Sequence, residues 1–382
     1  MDIFLQVCFW LLLLMACYSY FIYPLVLWLL PAGRETSALL ADAKWPPISI
    51  IVTAHNEQAG IGAKIDNLLA LPPYAGSLEI IVASDASVDR TDDIVAEYTD
   101  RGVKLVRNDR HEGKEAAQAL AIHEAQGDLL VFTDVSTSMQ GNVLQKIEQH
   151  FRDPGVGALS SVDQFVDREG RPAGEGAYVR YEMWLRRQES RVSSLIGLSG
   201  SFFAVRAAIC RDNWLTSVPS DLMTAINCFQ AGFAAISAED VIGYYPDLAD
   251  SAKEFRRKIR TVLRGMRALA VVPSILNPLK YGLFAFQVWS HKLFRWIVPW
   301  CLILLLPVSA VLSGEHPFYR LALAGQIVFY SVSLLGWLAP SAARFTLVRL
   351  PLYFVVANLA VLRAGWDFLR GRSITTWTPS AR

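Results

Sequence analysis

Apolar residues are distributed along this chain in two different ways. Towards both ends they form long, nearly unbroken runs: Phe4 to Leu30, then Trp296 to Leu312, Leu321 to Leu338 and Phe345 to Leu362. Between them, short continuous runs (Ile48 to Val52, Leu78 to Ala83, Val103 to Val106 and Asp128 to Asp134) alternate with stretches of helical period. Ile61, Ile65, Leu68 and Leu69 mark one such helix, Ile94, Val95 and Tyr98 a second, and Glu115 to Ala125 a third. Continuous apolar strands separated by amphipathic helices predict an α/β domain, a doubly wound, mostly parallel sheet with helices on both faces. A further strand is expected at Ala158 to Val162. Beyond it a helix carries Tyr178, Tyr181, Trp184 and Leu185, with Arg180, Arg186, Arg187 and Arg191 at its other positions.

The terminal runs are long enough for a hydrocarbon core of about 30 Å. Phe4 to Leu30 lacks the basic start and small-residue cleavage site of a signal peptide, so it reads as an uncleaved membrane helix. Arg34 and Lys44 favour a cytoplasmic exit, ahead of a polar linker at 35–45. Phe255, Ile259, Val262, Leu263, Met266 and Leu269 recur at helical spacing, while Arg256, Arg257, Lys258, Arg260, Arg264 and Arg267 fill the other faces. This is a basic amphipathic helix suited to an anionic membrane surface. Tyr281 to Trp289 looks interfacial, and His291, Lys292 and Arg295 favour a cytoplasmic entry into the spans that follow. One anchor plus three C-terminal spans would put Arg370, Arg372 and Arg382 outside, against the positive-inside bias. Arg349 and Pro351 single out the last segment as re-entrant or tilted.

Composition narrows the chemistry. A formal net charge of +1 gives no field for nucleic acid as a partner. Cys8, Cys17, Cys210, Cys228 and Cys301 show no metal-ligand spacing, which argues against structural zinc and disulfides. In a parallel sheet the residues after the strands share one edge, so His55, Asn56, Glu57, Asp85, Asp109 and Asp134 gather where such sheets bind ligands. Solvated loop caps would gather in the same way. Lys114 opens a helix, where the dipole disfavours a cation; a bound anion would account for it. Ser220 or Asp221, ahead of the apolar helix Leu222, Ile226 and Phe229, reads either as a helix cap or as an acid with work to do.

The ordered series Ile50-Ile51-Val52-Thr53-Ala54-His55-Asn56-Glu57, Ile80 to Thr91 with Ser84-Asp85-Ala86-Ser87-Val88-Asp89, Gly113-Lys114 and Phe132-Thr133-Asp134 resembles the family 2 glycosyltransferases. The resemblance runs over roughly residues 46–270 and implies a GT-A fold, Rossmann-like, acting by inversion on a nucleotide-diphosphate sugar, in the first instance a UDP-sugar. It implies that Ala54 and Glu57 lie by the nucleobase, Asp85 near the nucleotide, and Asp134 on a divalent metal, Mg or Mn. It also implies that Gly200 in Ser199-Gly200-Ser201 belongs to the acceptor loop and that Asp221 is the catalytic base; Lys114 is placed to supply a second positive charge to the diphosphate, and the helix with Trp184 reads either as a surface helix with an aromatic core stripe or as an acceptor-facing or membrane-facing wall. Arg257 or Arg260 is expected to reach the diphosphate.

Three departures from the family pattern stand out. Asp134-Val135-Ser136 replaces the usual Asp-X-Asp, Ala119 stands near the place of the asparagine that often ends the Gly-Lys helix motif, and Arg257-Lys258-Ile259-Arg260-Thr261 lacks the Gln and Trp of the Gln-X-X-Arg-Trp motif of processive relatives. The expected division is an anchor (1–33), a catalytic domain (46–250), interfacial helices (251–290), a membrane region (291–365) and a tail (366–382). The expected role is a multi-pass enzyme of the inner (plasma) membrane. Its cytoplasmic catalytic domain would transfer sugar to a lipid-linked or polysaccharide acceptor in exopolysaccharide or cell-envelope glycan synthesis, with membrane lipid as a partner. A processive polysaccharide synthase and a catalytically silent membrane scaffold are the alternatives.

Overall fold

The computed structural model describes residues 2–33, 44–166, 177–246 and 251–372; Arg34, the linker up to residue 43, and the tail from 373 to Arg382 lie outside them. Two compact units are present, one formed by residues 1–29 with 250–373 and the other by 30–249. The chain opens in the first with α1 (Asp2–Cys17) and α2 (Tyr23–Leu29), joined by a π-helical turn at Tyr18–Ile22.

The second unit follows in the order β1 (Ile48–Ala54), α3 (Ile61–Leu69), β2 (Leu78–Ser84), α4 (Thr91–Ala96), β3 (Val103–Arg107), α5 (Lys114–Glu124) and β4 (Leu129–Asp134). Then come α6 (Val143–Phe151), β5 (Val156–Val166), α7 (Ala177–Val192), β6 (Phe202–Arg206), α8 (Ala207–Arg211), α9 (Ser220–Gln230) and β7 (Ala234–Pro246). All seven residues of β1 are buried because both of its faces are covered. Successive side chains of a strand point to opposite faces. Accordingly Ile48, Ile50 and Val52 pack with Ile61, Ile65 and Leu68 of α3 and with the apolar side of α6, while Ile51 packs with Ala117 and Ala121 of α5 and Ala225 and Cys228 of α9. Each of these large aliphatic side chains contributes about 1.5–3 kcal/mol by leaving water.

Strand order is β3-β2-β1-β4-β6-β5-β7. β3, β2, β1 and β4 are mutually parallel, β6 runs antiparallel to both β4 and β5, and β7 is parallel to β5. The order turns back on itself between β1 and β4, which is where open α/β sheets form a ligand crevice. Register places Thr53 beside Asp134 and Ala54 beside Ser84, so the ends of three neighbouring strands are level. The reversed direction of β6 is invisible in its apolar pattern. β5 also outruns the Ala158 to Val162 stretch, because its half-buried end, Asp163 to Val166, pairs with Gly243 to Pro246 of β7.

The first unit resumes with α10 (Ser251–Val271), α11 (Pro278–Val288), α12 (Phe294–Leu312), α13 (Pro317–Leu338) and α14 (Thr346–Leu369). A sharp kink at Gly282, with φ 48° and ψ −125°, interrupts α11, which then runs through a π-helical turn at Trp289–Leu293 into α12. The Tyr281 to Trp289 stretch is thus continuous with the span that follows it. By length and composition four helices can cross a membrane: Ile3–Leu29, Pro278–Leu312, Pro317–Leu338 and Thr346–Leu369. Phe9 of α1 is buried against Leu305 and Leu312 of α12 and Tyr319 of α13.

Gly157, on β5, has no room for a side chain: a Cβ there would stand 2.5 Å from Phe233, 2.7 Å from the Cys228 sulfur and 2.8 Å from Ile209. Gly157→Ala is expected to destabilise the sheet unit by about 1–3 kcal/mol. Gly314→Ala, in open space, should be neutral. Thermal unfolding of the detergent-solubilised chain separates the two.

Candidate functional site

The loops after β1 and β2 are stitched together and carry the only positive φ values outside glycine among the described residues, Asn56 at 53° and Ala86 at 52°. The Asn56 amide oxygen accepts from Val88 N at 2.8 Å, Asn56 N donates to the Ser87 hydroxyl at 3.1 Å, and Glu57 N donates to the Thr91 hydroxyl at 2.8 Å. Asparagine tolerates this conformation but alanine does not readily, and strain of about 1–3 kcal/mol of this kind collects at ligand-binding loops. Ala54 is fully buried, with its carbonyl accepting from Asp85 N at 2.9 Å. Asp85 is fully buried too. Its carboxylate accepts from Glu112 N at 3.0 Å, Gly113 N at 2.7 Å and the Asn108 amide at 3.0 Å, and faces His111 Nδ1 at 2.8 Å. Asp85 is therefore the anchor of the turn that delivers Gly113 and Lys114. His111 stacks on His55 with ring centroids 3.9 Å apart, forming a flat wall at this corner. His55, Asp85 and His111 have ligand atoms within 4.8 Å of one another. His55 Nδ1 lies 2.6 Å from the Asp85 carbonyl and the Asp85 carboxylate takes the loop's amide bonds, while His111 Nδ1 has no hydrogen-bond partner.

One strand away, Lys114 reaches back from the first turn of α5. Its ammonium donates to Asp134 Oδ1 at 2.5 Å and to the Gly200 carbonyl at 2.7 Å. Gly200 in turn approaches Asp221: a Cβ on Gly200 would lie 3.4 Å from Asp221 Oδ2. Glu115 accepts from Ser220 N at 3.4 Å, so consecutive residues of α5 hold the end of β4 and the start of α9. The N-cap of α9 is Pro219 and has no side-chain capping bond; Asp221, half-buried in the first turn, is not the cap. Asp134, Lys114, Gly200 and Asp221 thus form one cluster, beside the Ala54, Glu57 and Asp85 corner.

Trp184 lies on α7, half-buried near Tyr181 at 6.4 Å between centroids. It is Arg186 that ties this helix to the loop before Gly200, donating to the Ser160 hydroxyl and to the Gly197 carbonyl at 3.4 Å. Arg257 and Arg260 belong to α10 in the helical unit, where Arg257 pairs with Glu254 at 2.7 Å.

Lys64 was not singled out by sequence. It is buried beneath the turn after β4, donating to the Thr133 hydroxyl at 2.9 Å and the Thr137 carbonyl at 2.5 Å. Burial pulls its ammonium down to about 7, against the pull of Asp134, which favours the charge. A signal existed: position 64 falls on the same helical face as Ile61, Ile65 and Leu68, where a charge is out of place.

The donor set at Asp134 suits a hard cation such as Mg or Mn, which commonly takes one or two carboxylates and completes its shell with phosphate and water. The Asp134 side chain is 21% exposed, so it is reachable, and Ser136 on the same turn contributes only a hydroxyl. The residues fit such an ion, with Lys114 as a fixed positive charge beside it.

Residues 49–215 match the family model "Glycosyl transferase family 2". An N-acetylglucosaminyltransferase of Rhizobium leguminosarum bv. trifolii is 33% identical over 123 residues, 31% of this chain and 67% of that protein. One from Azorhizobium caulinodans is 28% identical over 165 residues, 42% of this chain and 40% of that protein, so this second match spans well under half of its relative. Among solved structures, a mannosyltransferase from Pyrobaculum calidifontis in complex with GDP-Man and Mn2+ superposes with a TM-score of 0.71 at 19% identity, covering 97% of this chain and 100% of the other. That likeness establishes the GT-A fold.

Lys64→Met is expected to stabilise the sheet unit at neutral pH while lowering activity. The folded-state pKa of Lys64 lies below the ordinary lysine value, so the unfolded chain binds more protons between pH 7 and about 10. The penalty for burying the ammonium is full below pH 7 and fades as the pH rises. Urea midpoints of the wild type and the variant should therefore differ most at pH 7 and converge towards pH 10.

Proposed function

The chain belongs to family 2 of the glycosyltransferases, and on that premise we propose that it is a membrane-bound inverting enzyme moving a sugar from a nucleotide diphosphate to a lipid-linked or polysaccharide acceptor. The observation that carries this reading is the Lys114, Asp134, Gly200 and Asp221 cluster at the β1/β4 crevice. The nucleotide occupies the corner built by Ala54, Glu57 and Asp85, against the stacked imidazoles. UDP-N-acetylglucosamine is the first donor to try, since relatives bear the name N-acetylglucosaminyltransferase.

Asp221 takes the proton of an acceptor hydroxyl as that oxygen attacks the anomeric carbon. The bond from that carbon to the diphosphate breaks with inversion, and its electron pair leaves on the phosphate oxygen. Charge grows on that oxygen, and a preorganised cation in a partly desolvated crevice is the effective way to stabilise it. Lys114 is such a cation, held by two bonds before donor arrives. A divalent ion on Asp134, when bound, supplies further Lewis acidity to the diphosphate. Gly200 leaves space beside Asp221 for the acceptor hydroxyl. The basic face of α10 that carries Arg257 and Arg260 suits anionic lipid headgroups. The apolar helices support an acceptor presented at a membrane, and the cytoplasmic side of the inner membrane is the face proposed for catalysis.

Nucleotide diphosphate release from a panel of nucleotide sugars, with membrane extract as acceptor, tests the activity; silence with every sugar would favour the scaffold. Asp221→Asn should bind donor normally and lose about 10²–10⁴-fold in transfer; retention of most of the rate removes Asp221 as base. Ser136→Asp adds a second carboxylate to the turn and is expected to lower the metal concentration for half-maximal activity at least several-fold, whereas Asp134→Ala abolishes metal-dependent turnover. Metal titrations of the three chains check both.

A further inference from the structure

Towards the β7 edge of the sheet lies a polar layer that the proposed reaction leaves unused. β5 and β7 run on in parallel past the end of the β6 pairing, with Asp163 beside Gly243 and Phe165 beside Tyr245. Alternate residues of a strand share a face, so Asp163, Phe165, Gly243 and Tyr245 lie on one side of the sheet. Gly243 makes room for the phenol: a Cβ built there would stand 2.7 Å from the Tyr245 hydroxyl and 3.1 Å from the Phe202 ring. The Tyr245 ring therefore leans back along β7 over Gly243, whose register partner is Asp163. The end of β7 is pinned to the turn after Asp134, Ser138 N donating to the Tyr244 carbonyl and Tyr244 N to the Ser138 carbonyl, both at 3.0 Å.

Ser199 donates its hydroxyl to Asp163 Oδ1 at 2.7 Å and its amide to the Ser160 hydroxyl at 2.8 Å. Tyr245 is 3% exposed, and its hydroxyl is buried with no hydrogen-bond partner. Buried phenols ordinarily find one. Burial first, and the Asp163 carboxylate next, push its pKa up against the pull of Ser199 and Ser201. It is therefore a neutral donor held in reserve beside the loop Ser199-Gly200-Ser201. Lys114 holds the same loop by the Gly200 carbonyl, Asp134 N holds it by the Ser201 carbonyl, and just before it Leu198 N donates to the Asp221 carbonyl at 3.2 Å.

The two sides of this loop differ in chemistry. On the β4 side an ammonium stands ready for a diphosphate. On the side of β5 and β7 the groups are a carboxylate, serine hydroxyls and a neutral phenol, a set that repels phosphate and suits an uncharged polyol. Asp163 is the half-buried member within reach of a ligand, and Ser199 and Tyr245 are buried behind it. We propose that Asp163 accepts a hydrogen bond from a saccharide hydroxyl next to the Gly200 loop, with Ser199 and Tyr245 as positioning residues, the phenol donating to the Ser199 hydroxyl as the loop settles on the bound sugar. The proposal rests on the glycosyltransferase reading and deepens it, because a site built to bond a hydroxyl rejects the analogue that lacks it.

The test uses the full detergent-solubilised chain. Tyr245→Phe removes only the unpartnered hydroxyl, so its unfolding midpoint is expected within about 3 °C of the wild type or above it. A larger drop shows that the hydroxyl serves the fold and overturns its positioning role. Calorimetric titrations with UDP, UDP-N-acetylglucosamine and the disaccharide of N-acetylglucosamine then separate the ligands. Asp163→Asn is expected to weaken saccharide binding about tenfold or more while leaving UDP unchanged; a loss on the disaccharide identifies the acceptor as the source of the hydroxyl, and a loss on UDP-N-acetylglucosamine identifies the donor sugar. Tyr245→Phe should cost about two- to tenfold on the same probe and nothing further in a Ser199→Ala background, a coupling that general loosening of the fold does not produce. Saccharide affinity that is absent, or the same with and without the Asp163 carboxylate, overturns the proposal. A chain that binds no UDP fails the UDP-sugar reading itself, whereas one that binds UDP and ignores Asp163 fails this inference alone.

Discussion

Charge balance at the end of β4 organises the sheet unit. Asp134 ends a buried strand, and an isolated carboxylate there would be costly. Lys114 meets it at 2.5 Å, and Lys64 approaches from beneath through Thr133 and Thr137. Meeting Asp134 obliges the turn at Gly113 to hold its shape, and Asp85 is buried for that purpose, accepting backbone bonds from Glu112 and Gly113. The same ammonium fixes the Gly200 carbonyl, and Gly200 stands against Asp221. A chain of bonds therefore runs from the end of β2 to the start of α9 through one lysine.

Lys114 and Lys64 both lie close to Asp134, one at its carboxylate and one beneath its turn. The buried position of Lys64 also shows a cost being borne at a working site: an ammonium whose burial opposes its own charge holds the turn bearing Asp134 and Ser136. Ala86, in a backbone conformation better suited to glycine, is a second such case, in the loop that flanks the nucleotide corner.

Much of this was legible in the sequence, for identifiable reasons. Continuous apolar runs and helical periods gave the strands β1 to β4 and their helices, because burial on both faces leaves a strong local pattern. The gathering of Asp85, Lys114 and Asp134 followed from parallel direction alone. What was not legible depends on pairing in space. Nothing in Phe202 to Arg206 reveals that β6 runs antiparallel, and nothing near Asp85 reveals that its carboxylate is spent on backbone amides. Lys64 was concealed by its residue type, since lysine is expected in water.

The antiparallel pairing of β6 with β4 has a consequence for how such a chain can change. Asp134 N donates to Ser201 O at 3.0 Å, and Thr133 sits opposite Phe202, so the two sides of the crevice are set by a single register. The residues between those points are sequence-distant but metrically locked. Whole loops can be inserted or lost between Ser138 and Ser199 without disturbing the spacing of Lys114, Asp134 and Gly200. A slip of one residue at Phe202 would invert every side chain of the strand and carry Gly200 away from its partners. Length is free to drift in this half of the protein, and register is not.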